Sequence, residues 1–191
     1  MHASRGLVLL ALVLILAACG DVGPALDSRP ATTEAPPPER YGAPVVAAPR
    51  DVSGLVGSPC TSLLATEELD GFGISNEGRP RTYLGATICS WTTDSDDRLS
   101  LSVDAERDLL VDTYRTRLTP IFVPTNIEGF PAVRQRTSLD YNTCTVTTGL
   151  GPQEALEADW TGHLAPSPSV DPCERAEEAI ALVIRKLPPQ R

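Results

Sequence analysis

The placement of five cysteines limits what this chain of 191 residues can fold into more than any other feature. Cys19 stands directly behind an apolar run, whereas Cys60, Cys89, Cys144 and Cys173 are spread through the rest of the chain. An even set outside the cell forms disulfides, and four cysteines allow three pairings. No Cys-x-x-Cys pair is present to favour a structural zinc site. Ser58-Pro59-Cys60 and Asp171-Pro172-Cys173 look alike: a capping residue, Pro at the first helical position, then Cys at the second. Glu174 completes a capping-box pattern with Asp171. Cys89 and Cys144 lie instead in β-like runs. Helix-to-strand bridges, Cys60–Cys89 and Cys144–Cys173, are therefore expected. Each closes a loop of about 30 residues, which the chain-entropy account values at ~3.5 kcal/mol. The pairing of Cys60 with Cys173 and Cys89 with Cys144 stays open at this point.

The oxidising compartment that this requires is written at the N-terminus. His2 and Arg5 make a short polar start, and Gly6 to Ala18 then run 13 residues without a charged or polar side chain. That is too short for a ~30 Å hydrocarbon core and right for the apolar part of a secretory signal. The run ends Leu16-Ala17-Ala18-Cys19, where small residues fit a narrow peptidase cleft and the thiol can carry a diacylglyceryl group. Residues 1–18 read as a lipoprotein signal peptide and Cys19 as the lipidation site. Acyl chains such as palmitate contribute about 0.8 kcal/mol per buried CH₂, so two or three hold a protein durably. The expected location is extracytoplasmic, lipid-anchored to the outer face of the cell membrane. Residues 19–54, with seven prolines between positions 24 and 49, read as a disordered tether. Residues 55–191 have the length of one domain.

Within that domain, Ala176, Ala179, Ile180, Val183, Ile184 and Leu187 fall on one stripe at helical spacing, with acidic residues early and Arg185 and Lys186 late. A first helix is expected over Pro59 to Leu69, with Leu63, Leu64 and Leu69 inward, ended by Gly71 and Gly73. A middle helix is expected over Glu106 to Leu118, with Leu110, Tyr114 and Leu118 as its stripe. Arg98 to Val103 and Thr143 to Thr148 alternate as half-buried strands. Tyr83 to Thr92, Pro131 to Thr137 and Ala155 to Trp160 read as further strands, with polar turns at 93–97 and 138–142. The fold class is α+β: an antiparallel sheet packed on N- and C-terminal helices, stapled by two disulfides.

The order of these features resembles a family of small actinobacterial lipoproteins of unknown function (domain-of-unknown-function family 3558). The residues that carry the likeness are Leu16-Ala17-Ala18-Cys19, Pro59-Cys60 with Leu63-Leu64, Cys89-Ser90-Trp91, Gly129-Phe130-Pro131-Ala132, Cys144 and Cys173. The resemblance implies an extracytoplasmic lipoprotein and carries no catalytic residues over. It makes Trp91 a core aromatic beside a disulfide, and Gly129 and Pro131 turn residues.

Few residues of the chain point to a particular chemistry. With 25 acidic against 16 basic residues and a formal charge of −9, nucleic acid is disfavoured as a partner. His163, the only histidine after His2, sits in a loop with no Gly-x-Ser-x-Gly elbow to serve. Gly71 to Asn76 falls one residue short of the dinucleotide fingerprint and reads as a helix-ending turn. Asp94, Asp96 and Asp97 lack the Gly and bidentate Glu of a calcium loop and read as a hairpin turn. The pairs Arg79/Arg81, Arg115/Arg117 and Arg134/Arg136, each two residues apart, would give one solvated face on strands; the alternative is contact with an anionic wall polymer. No cofactor, metal or catalytic residue is assigned. The expectation is a non-enzymatic binding or accessory domain of the cell envelope, with an apolar or partly charged groove between sheet and helix. Its partners are the membrane through Cys19 and a cell-wall component, small ligand or envelope protein. A carboxylate-based hydrolase and a pocketless interaction protein are the alternatives.

Overall fold

The computed structural model describes residues 39–58, 60–162 and 171–190. The signal, Cys19, most of the expected tether, Pro59 and His163 lie outside the described residues. Seven strands run β1 (Arg79–Tyr83), β2 (Ala86–Thr92), β3 (Arg98–Asp104), β4 (Ile121–Ile127), β5 (Phe130–Arg136), β6 (Thr143–Gly149) and β7 (Ala155–Thr161). They form one antiparallel sheet in the order β1-β2-β3-β7-β6-β5-β4. The sheet is thus two meanders, β1 to β3 and β4 to β7, joined where β3 pairs with β7. Helix α2 (Leu109–Thr116) crosses between them, and α3 (Pro172–Lys186) follows β7. Two tight hairpins rest on positive φ at both central residues, Leu84 (48°) with Gly85 (83°) and Glu128 (52°) with Gly129 (87°). That backbone matches the twist of the strands it joins.

The sheet buries its two faces differently. Leu99, Leu101 and Val103 of β3, Leu156, Ala158 and Trp160 of β7, and Cys144 and Val146 of β6 pack with Ala176, Ile180, Val183 and Ile184 of α3 in the main core. On the opposite face, Leu110 and Tyr114 of α2 cover Val133 together with Ala43 and Phe122. Helix α2 therefore roofs only the β5–β6 end of that face. The two bridges are Cys60–Cys89 and Cys144–Cys173, each spanning 29 positions, as the local sequence indicated. Asp171 caps α3 by accepting a hydrogen bond from the Cys173 amide at 2.8 Å, which sets the second bridge at the helix start.

Several expectations are corrected. The single first helix is replaced by a 3₁₀ turn, Cys60–Ser62, and a short α1, Thr66–Asp70. Leu63, Leu64 and Leu69 are all buried. At 3.6 residues per turn they would point to different sides of one continuous helix, so burial of all three breaks it. The middle helix ends at Thr116, because Arg117 adopts a left-handed backbone (φ 40°). Leu118 consequently leaves the stripe and is 84% exposed. Two strands, β1 and β4, were not expected; Pro131 lies in β5, in line with the strand expected from Pro131, and not in the turn that the resemblance implied. The boundary at residue 54 falls inside packed chain. Arg40 pairs with Asp108 at 2.8 Å, and the Arg50 amide donates to the Leu150 carbonyl. Asp51 and Gln190 zip the segment against the chain after α3, and Val52 is fully buried.

Replacing Cys144 and Cys173 together by Ser is expected to cost on the order of 3 kcal/mol, read as a lowered urea midpoint. Gly78 has φ +80°, and a Cβ there would overlap the Trp91 indole. Gly78→Ala should therefore destabilise by roughly 1–3 kcal/mol and shift the Trp emission.

Candidate functional site

The alternation that sends Leu99, Leu101 and Val103 into the core sends Arg98, Ser100 and Ser102 to the other face. Cross-strand register extends this into rows. One runs Arg79, Ser90, Ser100, Asp159, Thr145; the next runs Arg81, Ile88, Ser102, Glu157, Thr147. Because α2 covers only the far end, the β1–β7 part of this face is an open groove of about 890 Å³. Its walls include Arg79, Arg81 and Arg98, and its floor includes Ile88, Ser90, Ser100, Ser102, Glu157 and Asp159.

The floor is a hydrogen-bonded array. Thr147 Oγ1 donates to Glu157 Oε2 at 2.9 Å, and Thr145 Oγ1 donates to Asp159 Oδ2 at 2.9 Å. Thr161 Oγ1 donates to the other Asp159 oxygen at 2.9 Å, and the Ser90 and Ser100 hydroxyls lie 3.0 Å apart. Burial pushes the Glu157 carboxyl above its ordinary range; the Thr147 bond and Arg107 oppose this, while Asp159 and Asp104 add to it. Nearby Asp104 is held by the Arg107 guanidinium, with Nε at 2.8 Å.

The walls are the reverse, with charges left unused. Seven ion pairs form among the described residues, and none includes Arg79, Arg81 or Arg98. The other arginines among the described residues are engaged. Arg134 is paired with Glu177 of α3, Arg115 with Asp112, and Arg136 donates to the Leu139 and Tyr141 carbonyls. Arg117 lies over the rings of Tyr114 and Phe122. Of the three Arg pairs, Arg79/Arg81 has the solvated strand face that a pair two residues apart gives on a strand. Arg115 and Arg117 are in and just after a helix, and Arg134 turns toward α3.

Of the residues singled out from sequence, the four cysteines are brought together in pairs against the core. Gly71 and Gly73 end α1, with the Ile74 amide donating to the Leu69 carbonyl. Asp94 to Asp97 form the β2–β3 turn, closed by Thr93. The groove expected from the sequence, apolar or partly charged and between sheet and helix, is found instead on the open sheet face beyond α2, with a polar lining from strands and from the chain leading into β1. The available signal was the outward half of each alternating strand, where Ser, Arg, Glu and Asp recur. Among the described residues, no helix is long and apolar enough to cross a membrane.

Because folding raises the Glu157 carboxyl above its unfolded value, the native state holds a proton in a pH window where the unfolded chain has released it. Stability is therefore fullest below the ordinary carboxylate range, about 4.3, and falls as pH rises through the native value. Glu157→Gln removes that loss. The urea midpoint of the wild type relative to Glu157→Gln should fall between pH 4 and pH 7; a constant offset would contradict the assignment.

A family model described as "Protein of unknown function (DUF3558)" matches residues 14–186. Comparison with curated proteins and with solved structures gave no match.

Proposed function

The chain belongs to the DUF3558 family, and we propose that it is a membrane-anchored extracytoplasmic lipoprotein whose domain binds a polar, hydroxyl-bearing ligand in the sheet groove without transforming it. The observation that carries this is the combination of an open groove, a hydroxyl-and-carboxylate floor, and three arginines that make no ion pair among the described residues. Unpaired guanidiniums beside a built hydrogen-bonding surface are what a recognition site needs before its ligand arrives. The anchor rests on Leu16-Ala17-Ala18-Cys19 behind the apolar run. A binding role fits the way the two floor carboxylates sit at neighbouring outward positions of one strand, each engaged by a Thr of β6.

A carboxylate hydrolase is the second reading. It is favoured by Glu157, whose raised carboxyl in a groove beside Asp159 has the character of a general acid. Turnover of a wall glycan by the wild type, lost in Glu157→Gln, would replace the binding reading with this one.

Intact mass of the protein extracted from its native membrane, with and without reductant, tests the anchor. The expected species begins at Cys19, carries acyl chains, and gains four hydrogens on reduction of its two disulfides. A chain that keeps residues 1–18, or a bare thiol at position 19, would overturn it.

A further inference from the structure

We propose that the ligand of this groove is an anionic polyol, its phosphate or carboxylate gripped by Arg79 and Arg81 and its hydroxyls laid across the serine floor toward Glu157 and Asp159. This rests on the binding reading above and names the ligand class.

Arg79 and Arg81 lie on edge strand β1, and the two carboxylates lie on β7, three strand spacings away. At ~4.8 Å per spacing the separation is about 14 Å, too far for direct pairing. The sheet thus sets Arg79 and Arg81 at the β1 end of the groove, with Glu77 also in the lining there, Arg98 on β3, and the hydrogen-bonded carboxylates Glu157 and Asp159 at the β7 end. The residues between them in the two rows are Ser90, Ser100, Ser102 and Ile88. Three hydroxyls, each able to donate and accept, suit a chain of ligand hydroxyls.

Charge then decides the sign of the ligand. Both floor carboxylates already accept bonds from threonines, whereas the three arginines spend no side-chain donor on the described residues; Glu77, the third carboxylate of the lining, offsets only one of their charges. Two guanidiniums at alternate positions of one strand project on the same side, and each presents a planar fork that fits phosphate or carboxylate. No aromatic ring lines the groove. Recognition therefore runs through hydrogen bonds and charge rather than ring stacking, and a purely neutral or apolar ligand would leave the arginines unanswered.

The test is calorimetry on the full chain in neutral detergent micelles, with glucose 6-phosphate and glucose as paired probes. Glucose 6-phosphate is expected to bind at least tenfold more tightly than glucose. The R79Q/R81Q double variant should bring it down to the glucose level while leaving glucose within about twofold. Both side chains are exposed and without partners among the described residues, so the variant keeps the fold, checked by its two intact disulfides. S100A/S102A should weaken both probes. Doping the micelles with phosphatidylglycerol separates two sources of the same chemistry. Competition with glucose 6-phosphate assigns the site to a lipid headgroup, and no competition assigns it to a free or polymeric anion; either result supports the anionic-polyol class. Equal binding of the two sugars, unchanged in R79Q/R81Q, overturns this inference and leaves the binding reading intact. Absence of binding by both probes overturns the two together.

Discussion

The pairing of β3 with β7 is the contact on which the rest of the structure depends. These strands are distant in sequence, and their register joins two meanders that would each be a small sheet with one uncovered side. Setting Leu101 opposite Ala158 aligns the apolar positions of both meanders under α3. The same register necessarily sets Ser100 opposite Asp159 and Ser102 opposite Glu157 on the other face. A slip of one residue would turn each strand's core side chains to solvent, so the burial that stabilises the core also fixes the groove. The two disulfides reinforce this frame from outside the ladder. One ties the turn at Cys60 to β2, and the other ties the start of α3 to β6.

The unequal cover of the two faces explains why a groove exists at all. Helix α3 spans the central strands and shields the main core. Helix α2 has eight residues, about 12 Å of helix, and cannot roof a seven-strand face. It is also held to one end. Leu110 packs so close to Gly149 that a side chain there would collide with it, and Asp108 at its start is tied to Arg40. The packed segment from Arg40 onward thus fixes α2 as well as covering the core. The remainder of the face is floored by polar side chains, which is the composition that an uncovered strand surface tolerates.

Much of this architecture was legible before the structure, and the exceptions share a cause. Strict alternation identified β3, β6 and β7, and the helical stripe with its Asp-Pro-Cys start identified α3. The local likeness around Cys60 and Cys173 led to the correct pairing because a helix-start cysteine meets a strand cysteine in both bridges. The missed strands are the two edges. Arg79-Pro80-Arg81 and Val123-Pro124 carry prolines that lower strand propensity, and an edge position accepts them because one side of the strand makes no ladder bonds. The split of the first helix and the loss of Leu118 from the second reflect tertiary burial and a left-handed cap, which spacing alone does not encode. The groove residues were visible one strand at a time. What brings Arg79, Ser100 and Asp159 into one row is strand order, and strand order is not a local property.

Isolation of the β1 arginines is the last consequence of that order. The chain carries 25 acidic residues against 16 basic ones, so a guanidinium on its surface has carboxylates in excess to choose from. Most of its arginines take one, or a carbonyl or an aromatic ring. Arg79 and Arg81 face a floor whose nearest side chains are serines and an isoleucine, with the carboxylates of β7 beyond reach and already bonded to β6. Glu77 lines the same groove two positions before Arg79 but forms no ion pair among the described residues, and Asp104, the acidic residue at an outward position of β3, is taken by Arg107. The positions across from the arginines hold Ile88, Ser90, Ser100 and Ser102, which neither neutralise them nor block the path between the two ends of the groove. Positive charge therefore stays without an ion pair among the described residues at the β1 edge of the open sheet face.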